Sequence, residues 1–128
     1  MVVDSSVLVA ILLKEPGHQA LLAKMNASVE VAIGTPTLVE TLIVLAGRAG
    51  GNPAPALKEL LHAIEAEVIP FTEDHSQAAL KACLRFGKGR HPAALNFGDC
   101  LSYAVASVAG QPLLYVGDDF SRTDIRKA

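Results

Sequence analysis

The stretch Val2-Val3-Asp4-Ser5-Ser6-Val7-Leu8-Val9-Ala10-Ile11-Leu12 decides the fold of this chain. A short apolar strand, Met1 to Val3, runs into an acid, and a helix candidate, Ser5 to Lys14, follows with no connecting loop. Pro16-Gly17 stops that helix. The same grammar returns along the chain. Val31-Ala32-Ile33 reads as a strand ended by Gly34, and Thr35-Pro36 then opens a helix reaching about Arg48. Its Pro falls in the first turn, where a missing N–H costs nothing. Glu67 to Phe71 is a strand, and Thr72 is a good N-cap for a helix from Glu73 to Phe86. Gly98 to Ala109 is a helix, and Leu113 to Val116 is a strand leading into Asp118-Asp119. Two more helices, His18 to Met25 and Ala56 to Glu65, and a short strand near Ile125 complete the reading. Strands alternating with helices predict the α/β class, with a parallel sheet covered on both faces. In such sheets, sites form outside the carboxyl ends of the strands.

With 128 residues the chain is expected to be one domain. Trp is absent and aromatics are few, so Leu, Val, Ile and Ala must build the core. A net charge of −2 argues against a nonspecific polyanion binder, unless bound cations reverse the charge locally. Cys83 and Cys100 sit in apolar helical runs and read as buried thiols in a reducing compartment. No basic residue precedes the apolar run Val7–Leu13, so it is not a secretory signal. The longest uncharged stretch, Cys100 to Gly117, is broken at Gly110-Gln111-Pro112 and does not read as a membrane span. A cytoplasmic location is the expectation.

Four acidic positions adjoin the most apolar segments: Asp4, Glu40 in GTPTLVETLIVLA, Asp99 in NFGDCLSYAVA, and the pair Asp118-Asp119. A carboxylate held at the edge of a core needs a partner. Several held together repel unless a cation joins them. Oxygen-only ligands of this kind suit Mg²⁺ or Mn²⁺. Each acid also has an ordinary explanation. Asp4 can cap a helix, Glu40 can close a capping box with Thr37, Asp99 can favour a helix N-terminus after Asn96, and Asp118-Asp119 can make a turn. Capping alone does not require all of them to fall at one end of one sheet. His18, His62, His75 and His91 have no zinc-like spacing; His75 reads as surface and His62 as helix packing. Ser5 and Ser6 lack a His partner in any hydrolase motif, and no Walker-type phosphate loop is present. Lys81, Arg85, Lys88, Arg90 and His91 form a basic run that reads as a solvated helix end or as a phosphate-tracking strip.

The segments VVDSSVLVAILLKEPG, TPTLVETLIVL, LNFGDCLSYAVA and PLLYVGDDFSRTDI together resemble the PIN-domain ribonucleases, in particular the VapC toxins of bacterial toxin–antitoxin pairs. That resemblance implies a three-layer α/β/α sandwich with a mainly parallel central sheet. It implies Mg²⁺- or Mn²⁺-dependent endoribonuclease activity leaving 5′-phosphate and 3′-hydroxyl ends. It also implies a homodimer paired with a cognate VapB-like antitoxin, which covers apolar grooves near the first helices and inserts a basic side chain among the acids. Carried over residue by residue, Asp4, Glu40 and Asp99 match the three acids that hold metal. Asp119, directly before Phe120, is favoured as the fourth, with Asp118 second. Ser6 matches a small polar position that orients the first acid. Arg85, Lys88 and Arg90 become the candidates for RNA contact. Other readings are a receiver-like phosphoacceptor signalling domain, a haloacid-dehalogenase-like phosphatase and a catalytically silent PIN-like binding module. Against the first, the opening strand would end in one Asp instead of a pair, and no Lys follows Leu113–Val116. Against the second, the position two residues after Asp4 is Ser6. Against the third stand the intact acids.

Overall fold

Two valines suffice for the first strand because neighbours pair with it on both sides. In a computed structural model describing all 128 residues, β1 (Val2–Val3) lies beside β2 (Ala32–Gly34) and β4 (Leu113–Leu114), with β3 (Glu67–Ile69) beyond β2. The order is β3-β2-β1-β4 and every pairing is parallel. The Val2 amide donates to Pro112 O and the Asp4 amide to Leu114 O, both at 2.9 Å. Helices α1 (Ser5–Leu12) and α2 (His18–Asn26) join β1 to β2. Helices α3 (Thr35–Ala49) and α4 (Ala54–Ala63) join β2 to β3, and α5 (Glu73–Phe86) and α6 (Phe97–Ala109) join β3 to β4.

Successive strand residues point to opposite faces, and two cores result. Val2 and Leu113 pack with α5 and α6 through Ala82, Phe86, Ala104 and Val105. Val3, Ile33 and Leu114 pack on the other face with Val7, Leu8 and Ile11 of α1, Met25 of α2 and Leu57 of α4. This is the expected three-layer α/β/α sandwich. After β1 the chain steps outward to β2 and β3, then returns to place β4 on the opposite side of β1. The strand order therefore reverses between β1 and β4, and the crevice at their carboxyl ends is the place where such sheets bind ligands.

Several element ends differ from the expectation for local reasons. β3 stops at Ile69 because Pro70 has no N–H to extend the ladder. The next amide, Phe71 N–H, donates instead to Thr35 Oγ1 at 3.3 Å, tying β3 to the start of α3. β4 stops at Leu114, and the Val116 amide turns to Ser6 Oγ. The expected strand near Ile125 is a single bridge between Leu113 and Lys127. α1 ends at Leu12, with Lys14 already in the left-handed region at φ 53°. α4 begins at Ala54, where Asn52 Oδ1 accepts the Ala54 N–H.

Three side chains lie where the sequence did not put them. His75 is buried, not on the surface: its Nδ1 accepts the Thr72 N–H at 3.0 Å and its ring stacks on Phe71. His62, read as helix packing, is exposed on α4. Cys83 is exposed while Cys100 is buried, and both are free thiols. No helix is long and apolar enough to cross a membrane.

Candidate active site

Asp4 ends β1 and caps α1. Its Oδ2 accepts the Ser6 N–H at 3.0 Å and the Ser6 hydroxyl at 2.6 Å. Ser6 Oγ in turn accepts the Val116 N–H at 3.0 Å, so one hydroxyl ties the first acid to the chain leaving β4. Asp99 sits in the first turn of α6, in a reciprocal box with Asn96. The Asn96 N–H donates to Asp99 Oδ2 and the Asp99 N–H to Asn96 Oδ1, both at 2.9 Å. The capping roles read for Asp4 and Asp99 are thus real, and each leaves the other carboxylate oxygen without a hydrogen bond to protein. No buried side-chain oxygen in the molecule lacks a partner, so those two free oxygens face solvent.

Glu40 is not a capping-box residue. α3 starts after Gly34, which leaves Thr37 inside the helix. Thr37 and Thr41 are buried, as is Ser102 of α6, and Thr37 Oγ1 meets Ser102 Oγ at 3.3 Å. That buried hydroxyl contact fixes the register of α3 against α6. One turn along each helix, Glu40 then lies against Gly98. A Cβ built on Gly98 would stand 2.3 Å from Glu40 Oε1, so only glycine leaves room for the carboxylate beside Asp99.

The electrostatics report the same assembly. Burial pushes the Asp99 carboxyl up to about 6, the Asn96 amide opposes the rise, and the charges of Asp119, Asp4 and Glu40 each add to it. Glu40 is raised as well, by burial and then by Asp4, against the pull of the Ser5 hydroxyl. Asp4 and Asp99 are only 5% and 8% exposed, whereas Glu40 is half-buried and Asp119 is exposed. The Asp118 charge acts on Tyr115, and its backbone carbonyl accepts from the Ser121 hydroxyl. Asp4, Glu40 and Asp119 are thus the acids whose charges bear on Asp99, and Asp118 is not among them.

None of these four acids has a cationic partner; the two ion pairs of the chain are Arg48 with Glu15 and Arg85 with Asp124. No three of the carboxylates stand close enough to ligate one ion as they lie. The donor set nevertheless fits a hard divalent cation, being all oxygen and in excess of negative charge. Glu40 and Asp119 are the less buried pair of the four. The basic run divides. Arg85 is held by Asp124 at 2.6 Å and lies 4.5 Å over the Phe86 ring, in a groove that Lys88 does not line. Lys88 borders a second groove together with Asn96 and Phe97. The pull of Ser5 on Glu40, the room left by Gly98 and the Thr37–Ser102 contact were not legible in the sequence. A Gly immediately before a helical acid was the one visible hint.

Residues 1–126 match the family model described as the PIN domain. The chain is 44% identical over 126 residues to Ribonuclease VapC36 of Mycobacterium tuberculosis, covering 98% of this chain and 91% of that protein. Its fold is similar to that of the Mycobacterium tuberculosis toxin VapC20, described as cleaving the sarcin-ricin loop, with TM-score 0.78, 21% identity and coverage of 99% and 97%. It is also similar to a chain of a toxin–antitoxin complex from Klebsiella pneumoniae, with TM-score 0.69, 14% identity and coverage of 96% and 92%.

Two predictions come from this geometry. A carboxyl whose folded pKa is raised holds its proton more tightly folded than unfolded, so ionising it costs stability. For Asp99 that cost begins above the ordinary value of 3.8 and is complete above about 6. The metal-free protein should lose thermal stability as pH rises from about 4 to 7, Asp99→Asn should lack that component, and excess Mn²⁺ should flatten it. Identical melting profiles of the two proteins across this range would contradict the assignment. Separately, Gly98→Ala should hold or raise stability, by roughly 0.5–1 kcal/mol from helix propensity. It should weaken Mn²⁺ binding about tenfold by displacing Glu40. Unchanged affinity would remove Glu40 from the site.

Proposed function

This chain belongs to the PIN-domain family and is a VapC-type toxin endoribonuclease; we propose that it hydrolyses RNA phosphodiester bonds with Asp4, Glu40, Asp99 and Asp119 gathered around Mg²⁺ or Mn²⁺. One observation carries this reading: two buried acids and two nearer the surface converge at the strand-order reversal with no cation among them. A bound divalent ion would supply the positive charge that steadies the phosphorane-like transition state and makes an attacking water acidic.

The chain's own residues do the rest. Asp4 and Asp99 provide the most fixed oxygens, because Ser6 and Asn96 each hold one carboxylate oxygen and aim the other outward. Ser6 is a positioning residue and acts through Asp4. Glu40 and Asp119 complete the site from its rim. Lys88 and Arg90, both exposed, are proposed to meet RNA phosphates, whereas Arg85 reaches them only by leaving Asp124. The partner is an antitoxin, proposed to be of the VapB type and to seat a basic side chain among the acids. A homodimer is proposed too, supported by Val39, Ile43 and Phe97 at 56%, 67% and 81% exposure along α3 and α6. So much apolar surface on neighbouring elements is what assembly removes from water. Residues 1–128 are proposed to act as one domain, in the cytoplasm.

The test is cleavage of total RNA by purified, antitoxin-free protein with and without Mg²⁺ or Mn²⁺, with the cut ends mapped. Cleavage should require the metal and leave 5′-phosphate ends. Asp4→Asn and Asp99→Asn keep the shape but lose the charge, and each should cut at least about a hundredfold more slowly. Full cleavage by both variants would sink the assignment.

A further inference from the structure

We propose that Asp124 is a positioning residue of the nuclease site: by joining Arg85 of α5 to Tyr103 of α6, it pins the far end of the segment that carries Asp119. The role rests on the proposed function, in which Asp119 is the fourth acid. Asp119 is exposed and no ion pair fixes it, so its place depends on the backbone to either side. The near end of that backbone is tied to the first acid. The Val116 N–H donates to Ser6 Oγ at 3.0 Å, and the same hydroxyl donates to Asp4 Oδ2 at 2.6 Å. Asp119 comes three residues after Val116, within about 11 Å of that tie even along a fully extended chain.

The far end is tied to two helices at once. Asp124 Oδ2 accepts from Arg85 Nη1 at 2.6 Å, and Oδ1 accepts from the Tyr103 hydroxyl at 2.5 Å. Between the two ties, Phe120 is buried with its ring 5.0 Å from that of Tyr115. The Ser121 and Thr123 amides close turns onto Asp118 O and Phe120 O. The helix α6 sets the direction of the segment. Tyr103 stands one turn beyond Asp99, and residues four apart share a helix face. Held at Tyr103, the segment is laid along the side of α6 that carries Asp99. The charge of Asp119 bears on Asp99 accordingly.

An exposed ion pair alone holds little. Here one carboxylate engages two helices, and both partners are themselves held. The Arg85 guanidinium lies 4.5 Å over the Phe86 ring, and that buried ring is 5.9 Å from the ring of Tyr103. The Tyr103 hydrogen bond keeps the Asp124 carboxyl below the usual carboxylate range, with Arg85 adding to it. Burial, and then Asp124, push the Tyr103 hydroxyl up to about 12. At neutral pH the tie therefore keeps both its charge and its proton.

The experiment compares the full-length wild-type protein with Asp124→Ala, Asp119→Asn and the double variant, by amide hydrogen exchange, Mn²⁺ titration calorimetry and RNA cleavage. In Asp124→Ala, exchange at Ser121, Thr123 and Ile125 should quicken about tenfold while the amides of α1 keep their rates. Mn²⁺ affinity and cleavage should each fall about tenfold. In the Asp119→Asn background, Asp124→Ala should lower neither any further, because its effect runs through Asp119. Tyr103→Phe, which removes only a hydroxyl, should show the same losses at smaller size. Equal exchange rates in wild type and Asp124→Ala would overturn the tie. Faster exchange with unchanged Mn²⁺ affinity and cleavage, or losses that recur in full on Asp119→Asn, would overturn the positioning role. If the wild-type protein neither binds Mn²⁺ nor cuts RNA, the nuclease reading fails and takes the positioning role with it, and exchange alone then decides the tie. Should Asp124→Ala not fold, Tyr103→Phe decides both questions.

Discussion

Repulsion among carboxylates is the constraint on which this molecule is arranged. Asp4 and Asp99 are nearly buried, and the charges of Asp119, Asp4 and Glu40 add to the cost that burial sets on ionising Asp99. No lysine or arginine relieves them. Left to itself, such a group would push its elements apart. It stays together because each acid is held by something other than charge: Asp4 by Ser6, Asp99 by Asn96, and Glu40 by the register that Thr37 and Ser102 impose on two helices. We assign the balance of that repulsion to a divalent cation.

Structural and functional roles coincide in the same side chains. Asp4 is an N-cap, and an N-cap carboxylate stands at the carboxyl end of the preceding strand when no loop intervenes. Asp99 is the third residue of its helix, and its box with Asn96 fixes the rotamer. Ser6 adds a side-chain link across the strand-order reversal, since it touches both Asp4 and the Val116 amide. Very short strands serve the same end: β1 and β4 have two residues each, so their carboxyl ends deliver the acids with little slack.

Local signals made most of this legible in the sequence. Apolar runs, Pro in first turns and Gly at element ends placed every helix and strand to within a few residues. The acids stood out because they adjoin those runs. What escaped was set by tertiary contact. Nothing in the local sequence says that Thr37 meets Ser102, or that Gly98 leaves room for Glu40. His75 reads as a surface residue until its ring is seen closing the Thr72 cap, and Cys83 reads as buried because its neighbours Ala82 and Phe86 are. The choice between Asp118 and Asp119 turns on which way a tight turn points two adjacent side chains. In the folded chain the charge of Asp119 bears on Asp99, and that of Asp118 on Tyr115.

The most direct test of the central claim is calorimetric titration of the antitoxin-free protein with Mn²⁺, run beside Asp99→Asn. If the gathered acids are a cation site, the wild-type protein should bind Mn²⁺ saturably below about millimolar concentration and melt at a higher temperature when loaded, and Asp99→Asn should lose both effects. No binding by the wild-type protein at millimolar Mn²⁺, or equal binding by the two proteins, would contradict the account.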